Sequence, residues 1–316
     1  MSEKEPQFGE EPEQERISSF SRITGASREE EKNFLEVPGD KFKEQKFQEW
    51  EKEKTPEEKE IVDVILEKLP EFVKQFGGRP LKLTAEHVHI IDPGKLNEEE
   101  KKKNEKVKGR FNETKQMAEV FPDVNQLKFA QAVIHEVIHF SSFQSLTLKR
   151  GTESGGKDLL AIRKSGLAIR NHANDFFFDE INEAMTDELS QRFEKKYFGK
   201  IPTLKDDLMA RDAIREKIKG KYPELGKYTE TTDPVTGEPL GGGYSNARIK
   251  LNNFLGNIYA RNIDRFSSQK EVFEIFAKAY FTGRTLSMAR LVEKTFGKGS
   301  FRGIGKETKK FYAKKK

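Results

Sequence analysis

The stretch 132-AVIHEVIHF-140 holds two of the chain's five histidines, His135 and His139, with Glu136 between them. Around them run Leu127, Phe129, Ala130, Val133, Ile134, Val137 and Ile138. That spacing predicts an amphipathic helix across 123-DVNQLKFAQAVIHEVIHFSSF-143, with Asp123 as its N-cap. Four residues make slightly more than one helical turn, so the two imidazoles project from one side, one above the other. Glu136 lies beside that face. Two readings follow: a metal site with an adjacent base, or two core histidines satisfied by backbone carbonyls. Two imidazoles and a carboxylate are costly to bury among Val133, Ile134, Val137 and Ile138 without partners, and a bound cation removes that cost.

Composition restricts the ligands. The 316-residue chain has no cysteine, which leaves no thiolate metal cluster, disulfide framework or cysteine nucleophile. A transition metal must therefore be held by His and carboxylates. Charged residues make up 35% against 34% hydrophobic, and the mean hydropathy is -0.81, so part of the chain is expected to stay unfolded. No export signal is read at the N-terminus and no run of eighteen apolar residues occurs; a soluble, cytoplasmic protein without a membrane span is expected.

Three regions are expected: a charged arm at 1–54, a folded domain at 55–296 and a basic tail at 297–316. The domain opens with a helix that has Thr55 as N-cap, Pro56 at its first position and Gly77-Gly78 as its stop. A strand follows over 79-RPLKLTAEHVHIID-92, then a solvated loop containing 97-NEEEKKKNEK-106. After the histidine helix, turn signals at Gly151–Gly156 and Ser165-Gly166 predict a three-stranded meander. A second amphipathic helix covers 179-DEINEAMTDELSQRFEKKYFG-199, and further helices are expected at 204–220, 244–263, 269–281 and 285–296, with 231-TTDPVTGEPLGGG-243 as a loop. The fold class is α+β, mainly helical with a small antiparallel sheet.

H-E-x-x-H on a helix supplies two zinc ligands and a general base. A catalytic site needs a third ligand, and 181-INEAMTDELS-190 offers carboxylates. By itself that segment also reads as a solvated acidic face. Glu183 and Asp187, at i and i+4, can address a metal and the free N–H of one of its ligands together.

The pair "HEVIH" and "INEAMTD" resembles the two active-site helices of the gluzincins, the zinc metallopeptidases typified by thermolysin, in which an N-E-x-x-[ST]-[DE] helix supplies a glutamate ligand. The resemblance implies a zincin-like catalytic domain and Zn²⁺ held by His135, His139 and Glu183. It implies Glu136 as the base, Asp187 as the carboxylate that orients a zinc-bound histidine, and a peptide or protein as substrate. The chain departs from thermolysin in the longer interval of 44 residues between His139 and Glu183, and in having no histidine after Glu183 to stabilise an oxyanion. Tyr244, with Arg248 one turn later, is the candidate for that role; a tyrosine packing at a helix start is the plain alternative. His172 also reads as a capping or packing residue.

His87 and His89 share one face of their expected strand and read either as structural or as a further metal pair. The strand could also pair with an extended substrate. The net charge of +5, concentrated at the basic end, leaves two other readings open: a non-enzymatic, zinc-stabilised binding module acting through arm and tail, and nucleic-acid binding through 297–316.

Overall fold

The computed structural model describes residues 20–24, 27, 50–104, 107–113, 117–122, 125–149, 159–170, 176–219, 229–232, 239–241 and 245–312. The fold is α+β and mainly helical. Helix α1, Pro56–Lys74, starts with a capping box: Thr55 Oγ1 accepts from the Glu58 N–H at 3.2 Å, and Glu58 Oε2 accepts from the Thr55 N–H at 2.9 Å. Its buried stripe, including Ile61, Ile65, Leu69 and Phe72, lies against helices α3, Gln126–Ser141, and α4, Asp179–Tyr197. Phe72 meets Phe193 of α4 edge-on at 5.3 Å between ring centroids. The N-cap of α3 is Asn125, whose side chain accepts from the Lys128 N–H at 2.9 Å; the expected cap, Asp123, lies outside the described residues.

The expected antiparallel sheet is mixed, and it is more than one sheet. Strands β5 (Gln144–Lys149), β6 (Leu159–Ser165) and β7 (Ala168–Arg170) form the antiparallel meander, which β8 (Phe176–Phe177) extends. On its other edge β1 (Phe20–Thr24), from the N-terminal arm, pairs in parallel with β5. A three-stranded sheet has β4 (Met117–Val120) in the middle, β2 (Val88–Ile90) parallel to it and β3 (Gly109–Asn112) antiparallel at the edge. Parallel pairing joins strands separated by long stretches of chain, so local alternation does not announce it.

Other expectations need correction. The strand expected over 79–92 is confined to β2, after a single 3-10 turn at Ala85–His87. The charged run is a helix, α2, Glu98–Asn104. Asn97 and Glu100 cap it reciprocally, at 2.9 and 3.2 Å. The loop expected at 231–243 contains parts of a two-stranded hairpin, β9 (Thr229–Thr232) with β10 (Pro239–Gly241). Threonines favour extended backbone there.

Helices α5 (Lys205–Lys219), α6 (Ser245–Ala260), α7 (Gln269–Thr282), α8 (Leu286–Phe296) and α9 (Ser300–Tyr312) complete the described fold. The ends of the arm and tail segments touch the body. The Asp92 N–H donates to the Trp50 carbonyl at 2.7 Å, and the Lys52 N–H to Ile90 at 3.0 Å. In α9, Phe301 and Ile304 pack on the core, and the Gly305 carbonyl accepts from the Phe178 N–H at 3.2 Å. Phe178 has φ 63 and ψ 17, a left-handed conformation costing about 1–2 kcal/mol outside glycine. A Cβ on Gly305 would lie 2.6 Å from the Phe178 ring, so only glycine permits this approach. The contact braces the chain one residue before α4, the helix that carries Glu183.

Candidate metal centre

Helix α3 brings His135 and His139 to the surface it shares with α4, their rings 4.9 Å apart. Glu183 reaches across from α4. His139 Nε2 lies 3.2 Å from His135 Nε2 and 3.3 Å from Glu183 Oε2, and His135 Nε2 lies 3.5 Å from the same oxygen. Two ligands about 2.05 Å from one cation at the tetrahedral angle are about 3.3 Å apart, so the three atoms match one face of a tetrahedron. The cluster can hold a metal ion, and it is the only such group of three among the described residues. Two nitrogens and one oxygen from three side chains leave a fourth position unfilled by those side chains, as in catalytic sites.

Each imidazole is backed through its other nitrogen. His139 Nδ1 is 3.5 Å from Thr186 Oγ1. Thr186 donates to the Asn182 carbonyl at 2.9 Å and lies 2.7 Å from the Tyr280 hydroxyl. Tyr280 is fully buried, and that burial raises its phenol well above the ordinary value, so it stays protonated. His135 Nδ1 is 4.0 Å from Asp187 Oδ1, beyond a direct hydrogen bond. Asp187 is in turn 3.2 Å from Arg248 Nε.

Electrostatics of the metal-free cluster follow from its burial and its charges. Burial alone would lower His139, but the charge and hydrogen bond of Glu183 outweigh it and the ring is pushed up to about 9. Burial likewise opposes ionisation of Glu183, yet the two histidines hold its carboxyl well below the usual range. A cation bound by these three side chains would take the place of the His139 proton.

Glu136 is buried beside this cluster, against edge strand β3. A Cβ on Gly109 would sit 2.8 Å from Glu136 Cγ and 2.9 Å from Oε1, so a glycine makes room for the carboxylate. The Phe111 N–H hydrogen-bonds Glu136. Burial raises the Glu136 carboxyl, ahead of the opposing charges of His135 and His139, which brings it toward the range of a general base. Glu136 and the triad line one cavity of about 350 Å³, together with Glu113, Arg170 and Asp179. Arg170 Nη2 lies 3.5 Å from Glu113 Oε2, and burial followed by the charge of Glu183 raises Asp179.

The other candidates fall elsewhere. His87 belongs to the 3-10 turn and its Nδ1 meets the Thr84 N–H at 3.1 Å; His89, on β2, meets Glu51 at 3.0 Å. They do not make a metal pair. Arg248, the second oxyanion donor expected beside Tyr244, does not line the cavity of Glu136: it is buried against Asp187 and Glu188. Tyr244 and His172 lie outside the described residues. The sequence reading passed over Gly109, Thr186 and Tyr280. Thr186 stands inside the quoted acidic motif, where its hydroxyl could have been asked for a partner; Tyr280, 94 residues further on, carries no local signal.

Comparison with protein-family models, with curated proteins and with solved structures gives no match. Among the described residues no helix is long and apolar enough to cross a membrane.

Proposed function

We propose that the protein is a zinc-dependent metallopeptidase of the gluzincin group, with a zincin-like catalytic domain acting on a peptide or protein. The observation that carries this reading is the convergence of His135 Nε2, His139 Nε2 and Glu183 Oε2 within 3.2–3.5 Å, with Glu136 lining the same cavity. When bound there, zinc would acidify a water and polarise a scissile carbonyl. His135, His139 and Glu183 hold it, and Asp187 and Thr186 stand behind the two rings. Glu136 takes the proton of the attacking water, an uptake its raised carboxyl favours, and passes it to the more basic leaving amine. Tyr244 is the proposed donor to the developing oxyanion.

A structural zinc staple would use the same three ligands but would have no need of a base buried at the cavity wall. The separating experiment is Glu136→Gln in the full chain, with metal content and cleavage of a mixed peptide library measured in parallel. The expected result is retained zinc with kcat lowered by about 10²–10⁴-fold. Full cleavage by a zinc-loaded Glu136→Gln protein contradicts the mechanism, and zinc retained with no cleavage by wild type favours the staple.

A further inference from the structure

The hydroxyl of Thr186 has one hydrogen and two lone pairs, and its three neighbours account for all of them. The Asn182 carbonyl, 2.9 Å away, can only accept, and the threonine hydrogen can reach it in an i−4 back-bond. With the threonine hydrogen on that carbonyl or on the Tyr280 hydroxyl at 2.7 Å, a lone pair is left for His139 Nδ1 at 3.5 Å, and the imidazole donates. A His139 that carries its hydrogen on Nδ1 has its lone pair on Nε2. Nε2 is the atom that faces His135 and Glu183.

We propose that Tyr280, acting through Thr186, is a positioning residue that fixes His139 as the Nδ1–H tautomer and so presents Nε2 to the metal. Tyr280 touches neither the triad cavity nor its ligand atoms; it sits on α7, far along the chain, with its side chain wholly buried. Its contribution is to hold the Thr186 hydroxyl at 2.7 Å while it also hydrogen-bonds Ser142, so that the threonine hydrogen does not swing toward His139. Removing the donor leaves a buried hydroxyl free to rotate and a metal ligand free to flip its tautomer or tilt its ring. Outer partners of metal-bound histidines typically contribute 10–100-fold in metal affinity. This inference rests on the metal-centre reading above, although not on the peptidase chemistry.

The test uses the full chain with zinc and with cobalt(II) as probes. Zinc affinity is measured by chelator competition for wild type, Tyr280→Phe, Thr186→Val and Thr186→Ser. The cobalt-loaded proteins are followed by proton NMR, where exchangeable ligand N–H signals are shifted far from the rest. The expected result is about tenfold weaker zinc binding in Tyr280→Phe and at least as much in Thr186→Val, with Thr186→Ser close to wild type. One ligand N–H signal should exchange faster with water in the two weakened variants. Valine keeps the shape of threonine and serine keeps its hydroxyl, so affinity that follows shape instead of the hydroxyl overturns the proposal, even if Tyr280→Phe folds poorly. Unchanged affinity and unchanged N–H signals in Tyr280→Phe overturn it alone. Wild type that binds neither metal overturns the metal centre and this inference with it.

Discussion

Behind His139 stand two neutral hydroxyls in the dry interior, Thr186 and Tyr280, whereas behind His135 stands an ion cluster of Asp187, Arg248 and Glu188. The first backing is a 3.5 Å contact to a hydroxyl that is itself fully enclosed. The second is longer, with 4.0 Å between His135 Nδ1 and Asp187, and it adjoins a hollow of about 900 Å³ between α4 and α5 that Arg248 and Glu188 help to line. Hydroxyls fix which nitrogen carries the proton at small cost in charge. Carboxylates raise the basicity of a ligand more strongly but need a cation of their own, and Arg248 supplies it. The two flanks of one metal centre should therefore fail in different ways.

The largest effect is expected on the ionic flank. Arg248→Met keeps the bulk of the side chain but leaves Asp187 without the guanidinium 3.2 Å away and Glu188 with Arg192 at 3.0 Å. Loss of one member of a buried ion cluster should cost about 3 kcal/mol of stability, the low end of the usual range because Arg192 remains. Urea unfolding of the metal-free protein measures it. A loss under about 0.5 kcal/mol would mean that the cluster is held by packing and that the contrast between the flanks is superficial.

A second effect, of comparable size, belongs to His139. Its ring is raised to about 9 in the metal-free chain, above an ordinary 6.5, so between these values a metal must displace its proton. Apparent zinc affinity should rise about tenfold per pH unit from roughly 6.5 to 9 and then flatten. The same shift acts on folding with a definite sign. The stability that protonated His139 adds to the metal-free fold is complete below about 6.5 and is lost as pH rises through about 9; zinc should remove this dependence. Flat affinity over that range would show that Glu183 does not raise the ring, and would shift the weight of the site toward the ionic flank.

Much of this was readable from sequence because it is local. Thr55, Pro56 and Glu58 announce α1; the apolar period around His135 announces α3; Ser165-Gly166 marks the turn between β6 and β7, while Gly151–Gly156 lies outside the described residues. The i, i+4 spacing nominated His135 and His139, and the resemblance to the gluzincin helix nominated Glu183; the ligand atoms of the three converge. The helix at Glu98–Asn104 is also legible, since Asn97 and Glu100 form a capping box, although its run of charges equally suits solvated chain. What could not be read depends on residues far apart in sequence. The pairing of β1 with β5, the approach of Gly109 to Glu136 and the hydroxyl of Tyr280 against Thr186 each arise only once distant segments pack.

The central claim is that α3 and α4 together hold one metal ion through His135, His139 and Glu183. Its most direct test is the zinc content per chain, by elemental mass spectrometry after reconstitution and removal of free metal, in wild type and in Glu183→Ala. The account predicts about one zinc per wild-type chain and a sharp drop in the variant. Equal zinc in both, or none in wild type, would contradict it.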